Sequence, residues 1–217
     1  MISPRIREFI AEVDPPSPCL VVDLDVLRIR WRQFRTLFPN ARICYAVKAN
    51  PHPAIIAMLV ELGADFDVAS RGEIELCLAN GASGDSLSYG NTIKKPADIE
   101  FAYRHGIRLF STDSESDIRA IAKYAPNSAV CCRIQVPQHG ARTPFGDKFG
   151  CPPAQAPALL SLAARLGLRP RGVALHVGSQ NENPGAWRTG IEAAATVIAA
   201  STATLAAAGI DVPTLNV

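Results

Sequence analysis

The stretch ICYAVKANPHP, residues 43–53, decides the fold. Its first half is an apolar run of the kind that forms a buried strand. Its second half passes through Asn50-Pro51, a turn signal. Lys48 stands where strand gives way to loop. A dinucleotide-binding fold would place GxGxxG here, after its first strand. The segment that follows, KANPHP, contains no glycine, so a parallel barrel becomes the leading reading.

Outward from this stretch the pattern alternates. Apolar strand candidates fall at 43–47, 65–68, 87–89, 109–111, 129–136, 172–177 and 214–217. Helical patterns lie between them, at about 52–62, 71–80, 95–104, 114–124, 153–167 and 185–208. Ser70 with Glu73 three residues on predicts a capping box, and Asp113 predicts a second N-cap. Gly63, Gly81, Gly106, Gly167 and Gly209 follow helices, where a left-handed residue closes the last turn. Strands alternating with helices predict an α/β fold with a parallel sheet. The expected form is a (β/α)8 TIM-type barrel over residues 39–217, of which seven strands are counted. Residues 1–38 are expected to lead into it through a strand at 19–22, with no place in the barrel, and a helix from about Asp25.

The composition bounds the function. Of 217 residues, 48% are hydrophobic and 19% charged, which supports a packed core and excludes a disordered chain. The net charge of +2 is scattered along the chain, so no nucleic-acid partner is expected. Six cysteines, at 19, 44, 77, 131, 132 and 151, include no CxxC pair. They read as reduced core cysteines of a cytoplasmic protein, with no metal site. The N-terminus lacks a signal-peptide core. Residues 193–210 carry no charge but are rich in alanine, so they read as a packed helix rather than a membrane span.

In a barrel, reactive groups gather at the C-terminal ends of strands. Lys48, Asp67, Arg133 and His176 all fall there. A lysine desolvated at such an end has a lowered pKa and becomes a nucleophile for a carbonyl, although position alone equally fits a surface lysine. His176 can stack on a flat ligand or move a proton, or it is a satisfied loop histidine. Gly178 and Ser179 offer free N–H groups and a hydroxyl to a phosphate, a weak signal by itself. Arg133 is a charge within an apolar strand and needs a partner, for which Asp67 and Glu73 are candidates.

Six segments carry a family resemblance: YAVKAN, FDVASRGEIE, YGNTIKK, CRIQV, DKFG and LHVGSQ, in this order. Together they resemble the fold-type III pyridoxal-phosphate decarboxylases of ornithine, diaminopimelate and arginine, which share their barrel with alanine racemase. The resemblance runs from about Pro18 to Val217. It implies pyridoxal 5'-phosphate as cofactor, with Lys48 its covalent anchor and His176 stacked on its ring. It implies Ser179, with Gly178, at the phosphate, and Asp67, Glu73 and Arg133 holding the lysine and the cofactor edge. YGNTIKK and RTPFGDKFG look closest to bacterial ornithine or lysine/ornithine decarboxylases. L-ornithine, giving putrescine for polyamine biosynthesis, therefore ranks first, lysine/ornithine next, and diaminopimelate below.

The family continues past PTLNV with a glycine-rich phosphate loop, an acid facing the pyridine nitrogen, an eighth strand and a C-terminal β-domain. That domain takes up the family's early strand and completes a homodimer with shared active sites. The chain is thus expected to be the N-terminal part of a longer parent enzyme and inactive alone. The alternative from another class is a non-catalytic pyridoxal-phosphate homeostasis protein.

Overall fold

Proline in the first turn starts five of the described helices, a serine, histidine, aspartate or asparagine side chain caps six, and glycine with positive φ follows several. The computed structural model describes residues 2–206, 209–210, 212 and 214–217. After helices α1 (Pro4–Val13) and α2 (Leu24–Leu37), the chain alternates strand and helix. The succession is β1 (Cys44–Ala46), α3 (Pro53–Glu61), β2 (Asp65–Val68), α4 (Arg71–Ala79), β3 (Leu87–Tyr89) and α5 (Pro96–Arg104). It continues with β4 (Leu109–Thr112), α6 (Glu115–Tyr124), β5 (Ala129–Arg133), β6 (Ala141–Thr143) and α7 (Ala156–Arg165). It ends with β7 (Arg169–Ala174), β8 (Ser179–Asn181), α8 (Pro184–Leu205) and β9 (Thr214–Asn216).

Seven strands form one parallel sheet in the order β1-β2-β3-β4-β5-β7-β9, curled as part of a barrel. The short antiparallel pair β6–β8, which the sequence did not announce, lies outside it. Helices at 52–62, 71–80, 95–104 and 114–124 appear within a residue or so of expectation. The pattern at 153–167 splits into a 3-10 turn, Pro153–Gln155, and α7. The last two residues of the 185–208 helix lie outside the described residues.

Strand alternation sorts the sheet into two faces. Phe66, Val68, Leu87, Tyr89, Phe110, Val130, Cys132 and Val173 join the core beneath the helices. The residues between them, on the concave face, are small or polar. Asp67 pairs in register with Ala46 and Ser88, and Cys131 with Ser111 and Gly172.

Within this chain residues 19–22 run without regular structure into α2, which Asp23 caps through Asp25 N–H at 3.0 Å. Cys19 and Leu20 are exposed, and the strand expected there would pair outside this chain, in the family's β-domain. One expectation needs correction. The N-cap of α6 is Ser114, not Asp113, because the Asp113 carboxylate accepts instead from Gly150 N–H at 2.8 Å. No described helix is long and apolar enough to cross a membrane.

Candidate active site

The register brings the predicted residues to one end of the sheet. Ala46 of β1 pairs with Asp67 of β2, and Lys48 lies two residues beyond Ala46 in the 3-10 turn Val47–Ala49. Arg133 ends β5 and pairs with Ala174 of β7, two residues before His176. Lys48 is exposed rather than buried at its strand end. The turn carries its side chain out of the strand, while Val47 takes the buried position. Among the described residues Lys48 makes no ion pair or hydrogen bond.

Asp67 is largely desolvated, and its pKa is pushed up to about 6. Burial is the main cause, and the charge of Glu73 adds to it. Lys48 and Arg133 oppose it. Gly90 makes this packing possible, since a Cβ there would collide with the Asp67 carboxylate. Half of the predicted capping box forms, with Ser70 Oγ accepting from Glu73 N–H at 3.3 Å, while Glu73 Oε2 reaches one residue further back and accepts from Ala69 N–H at 2.7 Å. Its carboxylate is thereby held at the start of α4.

Arg133 forms no ion pair among the described residues, with Asp67, Glu73 or any other acid. Its guanidinium lies over the Phe149 ring at 5.1 Å and the Phe145 ring at 5.8 Å. Burial lowers its pKa, while Asp113 and then Asp67 counter the shift. His176 meets Phe145 edge to face, with ring centroids 4.7 Å apart. Burial, reinforced by the charges of Arg133 and Lys48, pushes the His176 pKa down to about 4. The ring is neutral at pH 7.

The Gly178 N–H, expected to be free, donates to His176 Nδ1 at 3.0 Å. Gly178 has a φ of +94°, and a Cβ there would strike Ala141 of β6. Ser179 opens β8, paired with Thr143 across the small ribbon. The ribbon fixes the backbone of Ser179, three residues after His176.

Sequence reading missed Phe145, Phe149 and Asp113. The two phenylalanines lie in an irregular loop where no periodicity marks a buried face. Asp113 carried the better signal, since it directly follows β4 at the same end of the sheet.

Comparison with known proteins gives the setting. The profile of the pyridoxal-dependent decarboxylases, pyridoxal binding domain, matches residues 24–217. A lysine/ornithine decarboxylase of Selenomonas ruminantium is 37% identical over 172 residues, 79% of this chain and 44% of that protein. The chloroplastic ornithine decarboxylase of Nicotiana glauca is 38% identical over 182 residues, 83% of this chain and 42% of that protein. The crystal structure of lysine/ornithine decarboxylase complexed with cadaverine from Vibrio vulnificus superposes with a TM-score of 0.84 at 30% identity. That match covers 99% of this chain and 56% of the other. The chain spans less than half the length of these two sequence relatives.

Proposed function

Because this chain belongs to the pyridoxal-dependent decarboxylases through their pyridoxal binding domain, we propose that it serves the decarboxylation of a basic L-amino acid, L-ornithine before L-lysine. The observation that carries this reading is the convergence of Lys48, Asp67, Arg133 and His176 at one end of a parallel sheet.

The residues present fit pyridoxal phosphate. The cofactor needs an accessible amine, a flat face for its ring and polar groups at its phosphate. Lys48 is an exposed amine at the mouth. The neutral His176 ring, braced by Phe145, offers a face. Ser179 offers a hydroxyl, and Asp67 is a largely desolvated carboxylate with no hydrogen-bond donor among the described residues. When bound, pyridoxal phosphate supplies an aldehyde for amines and a conjugated ring that takes up the electron pair left by the departing carboxylate.

The chain's own groups do the rest. Lys48 Nζ is the nucleophilic amine. Asp67 is a largely desolvated carboxylate at the same end of the sheet, its pKa raised to about 6 mainly by burial. His176 packs without charge, and its Nδ1 is held by Gly178 so that Nε2 keeps the proton. Arg133 keeps a fixed positive charge at the mouth, clamped by two aromatic rings. Glu73 acts through α4, fixing the turn that follows Asp67.

Homodimeric assembly with shared sites belongs to the same reading and rests on the family resemblance, while a cytoplasmic location rests on the reduced core cysteines. Light scattering of the purified protein tests the assembly. The function is tested on the parent enzyme expected to carry this sequence, by adding pyridoxal phosphate and carboxyl-labelled ornithine, lysine or diaminopimelate and collecting carbon dioxide. Release from ornithine first supports the proposal. Cofactor bound through Lys48 without any release supports the non-catalytic reading instead, and no binding at Lys48 overturns both.

A further inference from the structure

The sulfur atoms of Cys132 and Cys151 lie 3.6 Å apart in a buried contact. Cys132 sits on the helix-facing side of β5, in register with Thr112 and Val173. Cys151 ends the loop that leaves β5. Its N–H donates to Arg133 O at 3.0 Å, and its carbonyl accepts from Gln135 N–H at 2.9 Å. The two backbones are therefore fixed side by side, and side-chain rotation is the motion that a sulfur–sulfur bond of about 2.05 Å requires. Cys19, Cys44, Cys77 and Cys131 have no such sulfur partner among the described residues.

The pair is also polarised. The hydrogen bond from Cys132 lowers the Cys151 pKa, and the same bond together with burial pushes Cys132 well up. The two directions favour Cys151 over Cys132 as the thiolate. The segment between them, 137–150, is mostly exposed and brings Phe145 and Phe149 to Arg133.

We propose that Cys132 and Cys151 are a redox-responsive pair, oxidised by a peroxide to a disulfide that ties the 137–150 loop to β5 beside the barrel mouth. The inference is independent of the proposed function. The Cys151 thiolate attacks one peroxide oxygen. A sulfur–oxygen bond forms, the oxygen–oxygen bond breaks, and hydroxide leaves to take a proton as water. Cys132 sulfur then attacks Cys151 sulfur. The disulfide forms, the sulfur–oxygen bond breaks, and a second water departs with the Cys132 proton. The thiols lose two electrons and the peroxide gains them.

The test treats the purified full chain with hydrogen peroxide, alkylates the remaining thiols and maps its peptides without reduction. The expected result is a linked peptide joining Cys132 and Cys151. A chain nicked by protease within 137–150 then stays in one piece until it is reduced. Cys131→Ser keeps the link and Cys151→Ser abolishes it. Links to other cysteines in the native chain overturn the proposal. So do two alkylated thiols under conditions where the urea-unfolded chain oxidises. The decisive map is made on the unmodified sequence, so it decides the proposal even where a variant fails to fold.

Discussion

His176 Nδ1 accepts a hydrogen bond from the Gly178 backbone N–H at 3.0 Å, two residues along the same loop. That bond selects the neutral tautomer with its proton on Nε2, while burial and the charges of Arg133 and Lys48 resist a second proton. A histidine with a depressed pKa contributes stability above its ordinary value of 6.5 and loses it as pH falls through about 4. His176→Gln is expected to flatten the acid limb of the stability curve in that window. Proton NMR should show His176 titrating near 4, and a midpoint near 6.5 would reject the argument.

Lys48 should carry the cofactor. Borohydride treatment of the protein with pyridoxal phosphate is expected to label the Lys48 peptide. Lys94 is the control, because its side chain is 0% exposed and its Nζ already donates to Asn91 O, Ser111 O and Asp117 Oδ2. Lys48→Arg should abolish labelling and, in the parent enzyme, reduce turnover by about 10²-fold or more, the loss of a covalent nucleophile. Label on Lys94 or Lys148 sinks the assignment.

Glu73 should tune Asp67 as well as cap α4. Its charge raises the Asp67 pKa, so Glu73→Gln should move the Asp67 titration below 6 while keeping an acceptor for Ala69 N–H. A raised carboxylate contributes stability below its ordinary value of 3.8 and loses it as pH rises through about 6. The Gln variant should thus lose less stability than the parent between these limits. Glu73→Ala should cost about 1 kcal/mol more through the missing cap. Carbon-13 titration and urea unfolding read both effects, and an unmoved Asp67 midpoint counts against the coupling.

Lys94 and Asp117 form a buried ion pair, with side chains 0% and 7% exposed and 2.8 Å between charged atoms. Lys94→Met leaves the Asp117 carboxylate buried without its partner and should cost about 3–5 kcal/mol. Lys94→Met combined with Asp117→Leu should recover most of that loss. Denaturant midpoints of the two variants decide it, and a single variant as stable as the parent would show that the pair contributes nothing.

The YGNTIKK segment shows how a family signature and a structural role coincide. Tyr89 is core, Gly90 makes room for Asp67, Asn91 donates to Ala69 O at 3.1 Å, and Lys94 anchors α6 through Asp117. Its sequence pointed to a substrate class. Its geometry shows a framework that holds the strand ends at fixed spacing.

The sequence by itself determined the alternation, the parallel sheet and the end at which Lys48, Asp67, Arg133 and His176 meet. Those features follow from local rules: period-two apolar runs make strands, glycine and proline bound the helices, and strand polarity fixes which ends converge. It could not show that residues 19–22 pair with no strand among the described residues, because a strand exists through its neighbour's hydrogen bonds and not through its own composition. Nor could it show that Lys48 stands exposed, that Phe145 and Phe149 clamp Arg133, that the Gly178 N–H turns to His176, or that Cys132 meets Cys151. Each depends on segments distant in the chain arriving at one place, and burial, charge and contact at a point are properties of the assembled neighbours.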